Sequence, residues 1–482
     1  MDNILVLLCS IWISLIQADC PYQECQCISP AVLCMSRGLK ALPELNKTVT
    51  GFTSLALDGN QITTITDGSL PSNLTDISLT DNPITTIDDT AFEGSKLTLR
   101  RLTISNARFT RIPDAFSQLQ NLQTLHVIGV PVTDWNVEAM KNIGSTLETL
   151  YLERVNLATS PTWLGYFSRL TELDILSSFL EDIPDNAMDL MNNTMTYLNL
   201  YNNSLSEVPK SLSKLTSLLN LYLTENKIAN TTWLPQSSKI QALSLNSNNI
   251  NNAVQLSTSL LPYADSLQSL DIEDNQLSSF PELSFLTRIG TLSFRNNKLS
   301  DASSGSLPPK LYSLELQNNF LPRIPMIMSG LQSITDFTMP SNRITVIQST
   351  DFSSVVTSVE LGFNHITELT EYSFPKNSAI EYLYLNNNPL RKISVSAFNN
   401  LPILSDLSLQ GTLLSRMPLA LSSLTSLYSL DFTNTPSLVC TCLEKSLTSW
   451  VQARGPDVVS GDCGQITIYA FFTTFGPDCP ND

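Results

Sequence analysis

The chain has 482 residues, 44 acidic against 27 basic, and a formal charge of −17. That balance excludes nucleic-acid binding, which wants Lys and Arg clustered against phosphate, and points to a basic or neutral partner. The two histidines, His126 and His365, leave little material for a His-based catalytic or metal constellation.

Residues 4–16 read I-L-V-L-L-C-S-I-W-I-S-L-I and lead into Gln17 and Ala18. The run is too short to span a bilayer, so residues 1–18 are expected to be a cleaved signal peptide. Cleavage removes Cys9 and leaves an even set of cysteines in two end clusters, which in an exported chain reads as disulfides. No later stretch has the length of an apolar membrane helix, and the polar end after Gly476 is no lipid-anchor signal. A secreted, extracellular protein with no membrane span is expected.

Cys20, Cys25, Cys27 and Cys34 give C-x4-C-x-C-x6-C, followed by Gly38-Leu39 and Leu42-Pro43, and residues 19–48 are assigned to an N-terminal cysteine cap. From residue 49 a frame repeats. Leu218 to Ile228, L-L-N-L-Y-L-T-E-N-K-I, fits L-x-x-L-x-L-x-x-N-x-L, a leucine-rich-repeat signature. The alternation around Leu221 and Leu223 predicts a short strand buried on one face, with Asn220, Tyr222 and Thr224 on the other. The asparagine position recurs at Asn60, Asn82, Ala107, Val130, Val155, Ser178, Asn203, Asn226, Asn248, Asn275, Asn297, Asn319, Asn342, Asn364, Asn388, Thr412 and Thr435, seventeen repeats at intervals of 22 to 27 residues. One repeat cannot bury its apolar side alone. Residues 49–438 are therefore predicted to be an α/β solenoid, a curved horseshoe with a parallel concave sheet about 80 Å long at roughly 4.8 Å per strand.

On the convex side, Phe92, Phe116, Phe374 and Phe398 are expected to form an apolar spine. Asp134 to Ile143, with Trp135, Met140 and Ile143 suitably spaced, predicts a convex helix. The insertion around Asn251 to Asp265 predicts a protruding or helical loop, and other connectors read as turns or single helical turns. Residues 439–482 carry Cys440, Cys442, Cys463 and Cys479, with Leu443, Leu447, Trp450 and Val451 on one helical face to seal the last repeat.

The two cysteine clusters with the repeats between them resemble the extracellular leucine-rich-repeat family, which includes Slit-like guidance proteins, small matrix proteoglycans and variable lymphocyte receptors. The resemblance covers essentially all of the chain after the signal peptide. It implies first-to-third and second-to-fourth cysteine pairing, giving Cys20–Cys27, Cys25–Cys34, Cys440–Cys463 and Cys442–Cys479. Thr435 stands where the family motif usually has Asn before Pro436. A role in binding proteins is implied as well.

A frame asparagine is expected to turn inward and bond backbone, since a buried amide without partners is costly. Ala107, Val130 and Val155 remove that amide in consecutive repeats, and Ser178 keeps only a hydroxyl. Either an apolar side chain fills the space there, or curvature changes locally.

The outward strand positions carry Asp58, Asp76, Glu153, Glu172, Asp174, Asp271, Glu273, Glu315, Asp336, Glu360, Asp406 and Asp431, opposed by Arg101 and Arg295. Tyr151, Tyr197, Tyr201 and Tyr222 fall on the same face near His126, Glu153, Arg154, Glu172 and Asp174. Exposed tyrosines beside charges suit a protein-binding hot spot, and this is the first candidate patch. Phe363, Tyr382 and Tyr384 form a second. Asn46, Asn73, Asn192, Asn202 and Asn230 begin N-x-S/T sequons. Neither catalysis, a metal nor a cofactor is expected, because nothing pairs a nucleophile with a base. The reading is an extracellular protein-binding module used in adhesion, signalling or immune recognition, with a structural matrix component as the alternative.

Overall fold

The computed structural model describes residues 20–157 and 161–480, so the expected signal peptide lies outside the described residues. A short strand precedes each frame position, from Ser54–Ala56 to Ser429–Asp431. In most of them the central apolar residue is buried and its neighbours stay open, as in Tyr197–Leu198–Asn199, where Leu198 is fully buried. The period-2 alternation of a strand produces this pattern directly.

The chain divides into two compact units, one made of the residues up to Lys227 with Trp233–Ile240, the other of Ile228–Thr232 with Gln241 onward. In the first unit, Gln26–Ile28 pairs antiparallel with Ala31–Leu33, which opens a parallel ladder running in chain order to Asn220–Tyr222. In the second, Ala242–Ser244 pairs with Ser269–Asp271, and a further parallel ladder runs from Thr291–Ser293 to Ser429–Asp431. Val459–Ser460 extends it by one strand.

Proline starts the back-side turns. Pro113, Pro161, Pro209, Pro325 and Pro418 each precede a single 3-10 turn, and the residue three on donates its N–H to the proline carbonyl. That residue is Phe116, Leu164, Leu212, Met328 or Leu421, and every one is buried. The ring fixes φ near the turn value and turns the next side chains into the core. Phe92, Phe374 and Phe398 are buried too, and Phe92 packs 6.2 Å from Phe116. The convex helix spans Val137–Ile143, starting three residues after Asp134, with Asn136 as its cap. The 251–265 insertion is a helix, Ala253–Leu260, running into a turn at Leu261–Tyr263. It packs Leu256, Leu260 and Tyr263 into the core, so that side of it does not protrude.

Disulfides join Cys20 to Cys27 and Cys25 to Cys34 at one end, and Cys440 to Cys463 and Cys442 to Cys479 at the other. Near the first pair, the fully buried Tyr22 donates its hydroxyl to the Ser69 carbonyl at 2.5 Å. At the other end Leu447, Trp450 and Val451 are buried and the Trp450 indole donates to the Leu424 carbonyl, but Leu443 is 65% exposed. The chain passes through Cys442–Leu447 as a 3-10 turn before the helix Thr448–Gln452, which breaks the single-face spacing expected of Leu443. Glu444, 1% exposed, is held instead, by Thr441 N–H and hydroxyl at 2.8 Å each and by the Arg416 guanidinium. No helix among the described residues is long and apolar enough to cross a membrane.

Candidate functional site

The frame asparagines turn inward. Asn203 donates to the Ile175 and Leu200 carbonyls at 2.7 and 3.0 Å and accepts from the Ser178 and Leu180 amides at 3.1 and 3.0 Å. Its Ile175 bond takes a carbonyl of the preceding repeat that a strand would otherwise use. Where the amide is missing, the backbone uses it. Ala107, Val130 and Val155 are buried fillers, and the strands Arg101–Ser105, Thr124–Ile128, Thr149–Glu153 and Glu172–Leu176 each run five residues. Their register continues through Ile104, Val127, Leu152 and Ile175. Most other ladder strands have three residues, as at Tyr197–Asn199.

The first candidate patch spans the end of this broadened part: His126, Tyr151, Glu172 and Asp174 lie on five-residue strands, Tyr197 and Tyr222 on the three-residue strands that follow. One cross-strand row runs Thr103, His126, Tyr151, Asp174, Asn199, Tyr222; a second runs Arg101, Thr124, Thr149, Glu172, Tyr197, Asn220. The His126 and Tyr151 rings lie 5.3 Å apart, those of Tyr197 and Tyr222 5.5 Å apart. The strand bearing Glu172 and Asp174 runs between those two ring pairs. Tyr151 donates to Glu153 at 2.8 Å, Tyr201 to Glu225 at 2.8 Å, and Asn199 to Asp174 at 3.1 Å. The four tyrosines are half-buried rather than the exposed residues expected from sequence, because each leans on a side chain of the adjacent repeat. Burial, then the bond to Glu153, raises the Tyr151 pKa to about 12. Burial also raises the Asp174 carboxyl, against the bonds from Asn199 and Tyr197. His126 is lowered by burial, then by Arg101.

The second patch is more open. Phe363 and Tyr382 are exposed, and Tyr384 stands across from Glu360 in the register. Other exposed aromatics include Tyr312 and Tyr428 in the same unit and Phe179 in the first. Phe179 lines an open depression of about 650 Å³ with Pro131, Val155 and Asn202.

A further signal sits one residue before each frame position, where the backbone is left-handed in every repeat. Gly, Asn, Asp or Ser fills most of these places, residues that accept positive φ or bond locally. Arg154, Glu225 and Phe363 do not fit that set. A bulky residue kept at positive φ stores strain, and such outliers cluster at functional sites. Arg154 pairs with Glu153 and Glu225 holds Tyr201, both bordering the first patch; Phe363 belongs to the second. The outlier was visible in the aligned frame, but its meaning needed the dihedral angle.

Among the sequons, Asn46 accepts from the Thr48 amide and hydroxyl, Asn230 accepts from the Thr232 amide, and Asn202 bonds the Ser177 hydroxyl. Asn73 is exposed and Asn192 half-buried. No group of three or more His, Cys, Asp and Glu side chains among the described residues is placed to hold a metal ion.

Family models described as leucine rich repeat match residues 72–129, 354–414 and 194–215. No curated protein matches the chain. Among solved structures, it is similar to a Leptospira interrogans leucine-rich-repeat protein, at 22% identity, with 88% of this chain and 93% of that one covered and a TM-score of 0.56. It is also similar to the Drosophila Toll–Spatzle complex structure, at 17% identity, covering 86% and 54% with a TM-score of 0.58. A third is the plant peptide hormone receptor RGFR1 in complex with RGF2, at 18% identity, covering 81% and 74% with a TM-score of 0.51. At these identities the likeness is one of fold. With the frame, the strand ladders and the partial family-model matches in agreement, the chain has the leucine-rich-repeat fold.

Proposed function

We propose that this is a secreted, N-glycosylated, non-catalytic binding protein that recognises an extracellular protein ligand through the open sheet face between Thr124–Ile128 and Asn220–Tyr222. The observation that carries the reading is the pair of cross-strand rows that set His126, Tyr151, Tyr197 and Tyr222 around Glu172 and Asp174. Large amphipathic rings on a rigid sheet bind at low entropic cost, and acidic neighbours favour a basic or neutral partner. The Toll and RGFR1 structures, each in complex with Spatzle or RGF2, are in keeping with a ligand-binding use of the same fold. Four disulfides suit an oxidising, extracellular compartment.

The test is a capture experiment from the source's extracellular fluid with the secreted protein as bait. The matched bait carries Tyr151, Tyr197, Tyr201 and Tyr222 all changed to Ser, with its melting curve checked against the parent. A discrete protein held only by the parent bait supports the reading. The same material on both baits, or none, favours a structural matrix role.

A further inference from the structure

The acids around the first patch are not equivalent. Asp76 is paired with Arg101 at 3.0 Å, Glu153 with Arg154, and Asp58 accepts from Ser78 and the Thr80 amide. Glu225 is taken by Tyr201. Asp174 receives Asn199 and Tyr197, Glu172 receives Thr149 at 3.4 Å, and neither carboxylate forms an ion pair among the described residues. These two carboxylates share one face of one strand, and Asp174 is half-buried.

The neighbouring strands frame them. Tyr151 stands directly across from Asp174 on one side, and Tyr197 directly across from Glu172 on the other. The flanking strands are two spacings apart, about 10 Å, so the carboxylate-bearing strand is the floor of a trough with one ring pair on each side. Each wall is a ring pair, His126 with Tyr151 and Tyr197 with Tyr222. On the second wall, Tyr197, Asn199, Tyr201, Tyr222 and Thr224 border a shallow hollow of about 260 Å³.

We propose that this trough receives a single arginine side chain of the protein ligand. The inference rests on the reading of this face as the binding surface and adds the chemistry of what it takes. A guanidinium supplies the positive charge that Asp174 and Glu172 lack. Its plane stacks on the tyrosine rings, and its fork meets a carboxylate through two N–H donors. Lysine offers the charge alone, as a strongly hydrated point cation. Burial of Asp174, which holds its pKa up, is the desolvation that a bound cation offsets.

The experiment measures fluorescence anisotropy of a labelled Gly-Ser peptide carrying two arginines on the full secreted chain, beside the same peptide with two lysines or two glutamates. Two charge-matched variants separate a site from general attraction: Asp174→Asn with Glu172→Gln, and Asp406→Asn with Asp431→Asn in the other unit. The expected result is binding of the arginine peptide ahead of the lysine one by several-fold, reduced roughly tenfold by the first variant. The second variant is expected to leave it within about twofold. Equal losses from both variants, equal binding of lysine and arginine, or no binding beyond the glutamate peptide would each overturn the proposal. Should a captured protein ligand lose affinity with Tyr151→Ala yet bind Asp174→Asn unchanged, the surface stands and the arginine trough does not.

Discussion

The sheet is built in two ways. Around Asn319 in the second unit, every polar group of the amide is used: it donates to the Phe294 and Leu316 carbonyls at 2.9 and 3.1 Å and accepts from the Leu299 amide at 2.9 Å. Around Val130 in the first unit the same frame position is a buried hydrocarbon, and adjacent strands hydrogen-bond over five residues. One arrangement spends side-chain amides to tie successive loops; the other ties them by backbone and gains two residues of strand, one of them on the open face. The aromatic and acidic rows of the first patch begin on that broader stretch and run onto the three-residue strands Tyr197–Asn199 and Asn220–Tyr222.

The contrast breaks most readily at the regular ladder. Asn319→Ala leaves the buried Leu299 N–H and two carbonyls without the amide, and should cost roughly 3 kcal/mol, read as a lower urea midpoint. The reverse change, Val130→Asn, puts an amide where the backbone already uses the carbonyls. It should cost roughly 2 kcal/mol instead of restoring a ladder bond. A stabilising Val130→Asn would show that the longer strands do not replace the amide.

Smaller changes sharpen the functional side. Phe363→Asn relieves a bulky left-handed residue and should raise stability by about 0.5–1 kcal/mol in thermal melts. A loss of stability would mean that the Phe363 ring makes contacts worth more than its strain. The smallest effect is electrostatic. Burial holds the Asp174 pKa above its unfolded value, so the folded chain binds that proton more tightly. Stability from this group is then present below the unfolded carboxylate pKa and falls as pH rises through the raised one. Asp174→Asn should flatten that fall in urea midpoints taken upward from the ordinary carboxylate range, and an unaltered slope would count against the burial.

The frame leucines and asparagines made the strands, their order and their buried faces legible, because a 22 to 27 residue period leaves one way to bury each repeat. Ala107, Val130 and Val155 are buried fillers, as one of the two expectations had it, and the strands before them are longer. What sequence could not show were contacts between repeats. Tyr201 is bonded to Glu225, 24 residues away, and Asn199 to Asp174, 25 away, so side chains expected to stand free are leaning on neighbours. Leu443 fails for a local reason, a 3-10 turn where helical spacing was assumed. Arg154, Glu225 and Phe363 were in plain view, yet only the left-handed backbone at their positions marks them as unusual.

The most direct measurement is the affinity of the captured ligand, by surface plasmon resonance, for two variants of matched stability. Tyr151→Ala with Tyr222→Ala should weaken it by roughly 30-fold, about 2 kcal/mol, while Phe363→Ala with Tyr382→Ala should leave it within about twofold. The opposite pattern would move recognition to the second unit and contradict the central claim.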